Sequence, residues 1–245
     1  MATRLQSYSQ LLEDCYVHQN LINRNQADIS LVEIGAFDGI RYSNTLMLEK
    51  ALGTPPAFLV EPAPKSAMSA RKNRPASRVL EIAISSEFGI AEFAGDTAVS
   101  GLTEYFTSSY RRRWGIDDFQ RHKTLTAPMH AVQEVINRPY IDFLSIDVQG
   151  AERYVLETTN WRIPIGTICI ELEGHRPSDD EACRLILADN GFVLVERLMI
   201  SEIWTNPSYK RAKGLFEPSL QMPLSQYDLS PYAEKHLPSL MRHFK

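Results

Sequence analysis

Short apolar runs recur along the chain at 29–34, 57–61, 79–84, 140–147 and 167–172. Between them lie stretches whose apolar residues fall three and four apart. That alternation predicts strands separated by helices, hence an α/β fold with a doubly wound, mostly parallel sheet and helices on both faces. Residues 5–24, with Leu5, Leu11, Leu12, Tyr16 and Leu21 among polar positions, predict a helix breaking near Asn23-Arg24-Asn25. Ser43 is placed to cap a helix that buries Met47, Leu48, Ala51 and Leu52 and stops at Gly53-Thr54-Pro55-Pro56. Pro64 suits the first turn of a helix running to Asn73. Residues 90–93 predict a strand hairpin-paired with 79–84 through Phe88-Gly89. Residues 124–127 predict a brief strand, and helices follow over 131–136 and 151–158. Ser178-Asp179-Asp180-Glu181 forms a capping box for a helix closing at Asn190-Gly191, and strands over 192–197 and 201–205 end the sheet.

Two stretches escape the rhythm. Residues 96–122, rich in Thr, Ser, Gly and aromatic side chains, read as an insertion over the edge or mouth of the sheet, with one short helix. Residues 207–245 carry prolines at 207, 218, 223, 231 and 238 and read as an irregular extension with short helical pieces packed on the body. The expected organisation is an N-terminal helical segment over 1–28, a ligand-binding domain over 29–206, and the extension.

Composition narrows the class. A chain of 245 residues, 44% hydrophobic and 23% charged, can bury a core without crosslinks. Its net charge of −4 supplies no field to attract nucleic acid. Cys15, Cys169 and Cys183 are odd in number and widely spaced, so they suggest neither a disulfide framework nor a zinc site. No apolar signal core opens the sequence and no run is long enough to span a membrane, so a cytoplasmic protein is the default expectation.

In open α/β sheets the ligand sits at the carboxyl ends of the strands, near the reversal of strand order. Glu33, Glu61, Ala83-Ile84, Asp147 and Glu171 all fall at or just past such ends. The turn Glu33-Ile34-Gly35-Ala36-Phe37-Asp38-Gly39 permits a sharp bend and close approach of a ligand, and it places two acids beside the bend. It lacks the third glycine of a Gly-x-Gly-x-x-Gly dinucleotide turn, and no Gly-Lys-Ser/Thr motif occurs. Flanking carboxylates suit a cationic, hydroxyl-rich ligand better than a phosphate. S-adenosylmethionine, with its sulfonium, amine and ribose diol, meets that description.

Glu61 is placed to accept hydrogen bonds from a ribose diol. Asp147, in Asp147-Val148-Gln149-Gly150-Ala151-Glu152, is the first choice for general base. Glu152 also reads as a simple helix-start acid. His175 and Glu171, in Glu171-Leu172-Glu173-Gly174-His175, stand behind Asp147 as catalytic candidates. Alternation sends Glu171 and Glu173 to opposite sides, so one of them is expected to face the site. The spacing of these groups specifies no metal site, and a divalent ion is left open. Arg111-Arg112-Arg113 reads as a solvated face or as a clamp for an acidic acceptor.

Taken together, Tyr8-Ser9-Gln10 with Glu13-Asp14, the 32–39 turn with Ser43-Asn44-Thr45, Glu61-Pro62, Asn73-Arg74-Pro75, Ala83-Ile84-Ser85 and the 141–152 stretch resemble the FkbM family of methyltransferases. The similarity runs over about residues 8–205. It implies a class I, Rossmann-like fold with a seven-stranded sheet whose last strand is antiparallel, S-adenosyl-L-methionine as methyl donor, and a hydroxyl acceptor on a sugar, glycan or other natural product. It also implies a donor site drawn from Gln10, Glu33, Gly35, Ala36, Asp38, Ser43, Asn44, Glu61, Pro62, Ala83, Ile84 and Asp147. Gly35 and its neighbours would cradle the methionine part, Glu61 would take the ribose, and Ala83-Ile84 would lie by the adenine. Gln149 stands where the family commonly has an acid, which speaks against an inherited metal site. Two alternatives keep the fold: a nitrogen or carboxylate acceptor, or a binding module without turnover. Oligomeric state is open.

Overall fold

The alternating runs fold as strand and helix in turn. The computed structural model describes residues 4–20, 28–209, 211 and 224–240. β1 (Leu5–Gln6) and α1 (Glu13–Asn20) precede β2 (Leu31–Ile34), α2 (Leu46–Leu52), β3 (Phe58–Val60), α3 (Pro64–Asn73) and β4 (Arg78–Leu80). A second group comprises β5 (Ala83–Ile84), β6 (Gly89–Ala94), β7 (Gly101–Leu102), α4 (Ser108–Trp114) and β8 (Arg121–Ala127). The α/β rhythm resumes with α5 (Met129–Ile136), β9 (Ile141–Ile146), α6 (Glu152–Glu157), β10 (Ile165–Glu171), α7 (Pro177–Asp189), β11 (Val193–Leu198) and β12 (Ser201–Thr205). β13 (Tyr227–Asp228) and α8 (Pro231–Leu240) come last.

Seven strands form the main sheet in the order β11-β12-β10-β9-β2-β3-β4. The pairs β10–β9, β9–β2, β2–β3 and β3–β4 are parallel, and β12 runs antiparallel to both its neighbours. This is the class I arrangement expected, and the strand order reverses between β2 and β9.

Successive strand residues feed opposite faces. Leu31, Leu59, Phe143, Cys169 and Ile203 pack with α1, α2, α3 and α8 through Cys15, Met47, Leu48, Ala70 and Ala233. Val32, Ile34, Val60, Leu144, Ile146 and Ile168 pack with α5, α6 and α7 through Met129, Val132, Val155, Leu156 and Leu187. Gly53, at φ +59°, closes α2, and Pro64 opens α3, as expected. All three cysteines are free and buried. Among the described residues no helix is long and apolar enough to cross a membrane.

Four expectations are corrected. The single strand over 79–84 divides: β4 belongs to the main sheet, while β5 joins a smaller sheet ordered β5-β8-β6-β7. Between them Glu81 turns out to pair with Arg71 at 2.8 Å. The hairpin between 79–84 and 90–93 is absent because β8 lies between β5 and β6, antiparallel to the latter. The helix expected from residue 5 starts only at Glu13. Asp14 accepts hydrogen bonds from Ser7 Oγ (2.8 Å), the Tyr8 amide (2.8 Å) and Ser9 Oγ (2.7 Å), and a buried carboxylate with such donors holds that stretch non-helical. Finally, Ser178 is not a cap: α7 begins at Pro177, with proline in its preferred first-turn position, and the Asp180 carboxylate instead accepts the Gly174 amide.

β1 pairs in parallel with β13, and Ser230 Oγ donates to the Ser9 carbonyl at 2.8 Å. The described part of the extension is therefore packed on the body. The expected helix break at Asn23 to Asn25 and the prolines at 218 and 223 lie outside the described residues.

Candidate functional site

The tips of β2 and β9 meet where the strand order reverses. Gly35 takes φ +89°, and a Cβ there would stand 1.7 Å from the Asp147 carbonyl oxygen. No side chain fits, and glycine alone adopts that backbone without strain. The Gly35 amide donates to the Val60 carbonyl at 2.9 Å, and the Asp147 amide donates to the Ile34 carbonyl at 2.9 Å, fixing the three strand ends together. Around them Phe37 (φ +46°), Tyr42 (φ +63°) and Gln149 (φ +53°) are non-glycine residues in the left-handed region. Such outliers persist where surrounding contacts over-determine them, and they gather at ligand sites.

Beyond these tips opens a cleft of about 760 Å³, including the space continuous with solvent. Glu33, Gly35, Asn44, Glu61, Pro62, Ala83, Ile84 and Asp147 line it together. Thr97, Ala98, Ser100 and Leu102 of the 96–122 stretch wall its far side, so that stretch does sit over the mouth of the sheet, and its short helix is α4.

Four other site candidates lie elsewhere. Ala36 is buried in the apolar core. Asp38 Oδ1 accepts the Ile40 and Arg41 amides at 3.0 and 2.8 Å, and its second oxygen pairs with the Arg41 side chain. Ser43 serves the start of α2 by accepting the Leu46 amide at 3.1 Å, although Thr45 is the capping position. Gln10 lies in a recess behind the cleft with Glu13, Asp147, Glu171 and Ser201.

Glu33 is not the open acceptor that the turn suggested. Ser43 Oγ and Thr45 Oγ1 donate to its Oε2 at 2.8 and 2.6 Å, and the Asn44 amide donates to Oε1 at 2.7 Å. Arg74 approaches the same carboxylate at 3.4 Å and also pairs with Glu49. Burial raises the Glu33 carboxyl pKa, and the Arg74 charge and these donors oppose the rise. A carboxylate removed from water recruits whatever donors are near, and here it fastens β2 to the start of α2. Asn44 in turn donates from Nδ2 to Ser145 Oγ at 2.9 Å, and its buried Oδ1, at the edge of the cleft, has no partner.

Glu61 follows β3. Its two oxygens each accept one backbone amide, from Phe37 and from Ala63, both at 2.8 Å. A carboxylate has about four lone-pair positions, so capacity for a diol remains. Burial pushes its pKa up to about 8 against the pull of those amides, and the neighbouring Asp147 adds to the rise.

Behind the cleft the chain concentrates acid. Asp147 and Glu171 share the recess, and no arginine or lysine among the described residues pairs with either. Burial raises both carboxyls, and Glu171, facing Asp147, is raised well above the ordinary range. Glu152 is a local cap, its carboxylate accepting the Val148 and Gly150 amides, with its pKa pushed up to about 7 by burial. Glu171 and Glu173 both line a further cavity with His175, because the strand ends at Glu171 and its alternation ends with it. Both His175 ring nitrogens lack hydrogen-bond partners, and burial, reinforced by the Arg176 and Arg113 charges, lowers its pKa. Gln149 stands between that cavity and the main cleft. Asp147 and Glu171 therefore come together, while His175 shares a cavity with Glu171 and not with Asp147. Among the described residues no group of three or more His, Cys, Asp and Glu is arranged to hold a metal ion.

Of the arginine cluster, Arg111 is spent on Asp117 and the Thr103 carbonyl, and Arg113 covers the Trp114 ring. Sequence reasoning missed Tyr110 beside them, which is buried and donates a hydrogen bond to Gln149 Oε1. The arginines drew attention to the run, but a single tyrosine in it carries no signal of its own. Arg74 belongs to the quoted Asn73-Arg74-Pro75 stretch, but its central place only the partners of Glu33 reveal.

A sequence model described as the Methyltransferase FkbM domain matches residues 33–194. A comparison with curated proteins returns no match. Among solved structures the chain is similar to the methyltransferase FkbM of Methylobacillus flagellatus KT at 12% identity and a TM-score of 0.43, covering 73% of this chain and 43% of that one. It is also similar to Aeropyrum pernix fibrillarin with natively bound S-adenosyl-L-methionine, at 10% identity and a TM-score of 0.41, covering 75% of this chain and 68% of that one. A third is precorrin-6y C5,15-methyltransferase of Geobacter metallireducens GS-15, at 12% identity and a TM-score of 0.39, covering 74% and 80%. The chain thus spans less than half the length of the FkbM methyltransferase chain it matches.

Proposed function

The chain belongs to the FkbM family of methyltransferases, and from that premise we propose that it is an S-adenosylmethionine-dependent O-methyltransferase acting on a hydroxyl of a sugar or other small natural product. The observation that carries the reading is the convergence of Gly35, Glu61, Ala83-Ile84 and Asp147 on one cleft at the carboxyl ends of the strands. The residues fit the donor. Gly35 leaves a bare backbone where a side chain would stand, the Asn44 Oδ1 acceptor is unpaired, and Glu61 keeps acceptor capacity beside its two amides. Ala83 and Ile84 offer an apolar wall for a base.

When bound, S-adenosylmethionine supplies an electrophilic methyl group that an in-line nucleophile takes up. The chain's own work is to hold the two reactants in line, where most of the rate comes from orientation. Asp147 is the proposed base: its carboxylate would take the proton of the acceptor hydroxyl as that oxygen is methylated. Glu171, whose carboxyl is raised by burial and by the neighbouring Asp147, shares the recess with it. His175, neutral and outside the cleft, is removed from this role.

One observation favours a second reading. Asp147 lines the cleft and, like Glu171 behind it, has no paired cation among the described residues, which suits an amine acceptor as well as a hydroxyl. Calorimetry tests the donor half: S-adenosylhomocysteine is expected to bind at one site per chain, and absence of heat and of any thermal shift overturns the proposal. Mass analysis of hydroxyl and amine acceptor panels after incubation with labelled donor separates the two acceptors.

A further inference from the structure

Resting on that reading of Asp147, we propose that Tyr110 and Gln149 are positioning residues: the Tyr110 phenol fixes the Gln149 amide in the one orientation that presents its NH₂ to Asp147, and so holds the carboxylate aimed at the cleft. The contacts form a chain. Tyr110 Oη donates to Gln149 Oε1, and Gln149 Nε2 donates to Asp147 Oδ1 at 2.5 Å.

Direction in this chain comes from chemistry. An amide has one accepting and one donating end, and either can turn toward a neighbour. A phenol facing carboxylates keeps its proton, and here burial and the negative charges of Glu173, Asp147 and Glu171 drive the Tyr110 pKa strongly upward. The phenol is therefore a donor throughout the accessible pH range. A donor opposite the amide oxygen leaves only the NH₂ end for Asp147. Tyr110 can do this because its ring is pinned, stacked on Phe106 at 5.0 Å and tilted against His175 at 4.7 Å. Gln149 can do it because its backbone is set at φ +53°, and glycine follows it at φ +101°.

The arrangement has a further property. A carboxylic acid in place of Gln149 would compete with Asp147 for a proton, whereas an amide donates a hydrogen bond and takes none. The titratable groups around Asp147 come from several elements: Glu171 and Cys169 on β10, Glu61 after β3, Glu152 on α6, Glu173 past β10, Tyr110 on α4, and Glu13 on α1 beyond Glu171. Nearly all are acids. A neutral donor is what keeps one of them available as a base.

The test uses the full chain labelled with carboxyl-¹³C aspartate, the Asp147 signal being assigned by its loss in D147N. Its pH titration, which belongs to the pair with Glu171, is compared in wild type, Q149L and Y110F; Y110F retains the pinned ring. Both variants are expected to titrate higher than wild type by roughly one pH unit, and Q149E higher still, because each removes a donor or adds a like charge. Unchanged titration in Q149L overturns the proposal, and a shift in Q149L without one in Y110F overturns the role given to the phenol. S-adenosylhomocysteine binding by the wild-type chain is read by calorimetry on the same sample. If wild type binds none, the methyltransferase reading fails, while the titration still decides the relay.

Discussion

The carbonyl oxygen of Asp147 lies 1.7 Å from where a Cβ on Gly35 would stand. A Gly35→Ala substitution must therefore part the tips of β2 and β9 as well as strain a left-handed backbone. It is expected to destabilise the fold by about 4 kcal/mol or more, among the largest effects of a single substitution. Urea unfolding reads this directly, and a loss under about 1 kcal/mol would show that the two tips move apart freely.

The buried acids make the ligand-free protein sensitive to pH. Glu61 is raised to about 8, and Glu13 and Glu152 to about 7, from an ordinary value of 4.5. Each binds its proton more tightly when folded, so its contribution is complete below pH 4.5 and is lost as pH rises through 7 to 8. Thermal midpoints of the ligand-free chain should fall between about pH 5 and pH 8 and fall less in Glu61→Gln. An identical slope in that variant would contradict the assignment to Glu61.

Arg74 is predicted to be the costliest cation to remove. Its guanidinium and the Glu33 carboxylate are both almost wholly buried, and Glu49 shares the charge. Arg74→Met leaves these acids unpaired and should cost about 3–5 kcal/mol, whereas Arg121→Met, which breaks an exposed pair with Glu92, should cost under about 1 kcal/mol. Equal losses in the two variants would refute the difference.

For the chemistry, Asp147→Asn is expected to lower methyl transfer by about 10²–10⁴-fold. His175→Ala should lower transfer less than about tenfold, since that ring faces a separate cavity. Single-turnover rates on a responsive acceptor decide it; the reverse ranking would move the base to His175.

Local signals carried most of the frame. Gly53 and Pro64 mark helix ends through constraints written in single residues, and the apolar runs at 31–34, 58–60 and 141–146 are strands because burial on both faces leaves no polar alternative. What misled was competition between distant partners. Asp14 gathers Ser7, Tyr8 and Ser9 and so cancels a helix that spacing alone favours. Glu33 looked available because its four partners lie from ten to forty-one positions away along the chain. Ser178 has the spacing of a cap, yet proline one position earlier decides the start. The cleft was legible as a row of polar strand ends, whereas the Tyr110–Gln149 contact spans thirty-nine positions and has no sequence signature.

β5 to β8 form a sheet that shares no ladder with the seven main strands. The two can therefore change on different evolutionary clocks. Insertions within residues 95–120 would reshape the far wall of the cleft while leaving the ladders of β2, β3 and β9 as they are. A lineage could refit the shape of what enters while inheriting the strand tips intact, and grafting residues 95–120 between relatives is the corresponding route for an engineer.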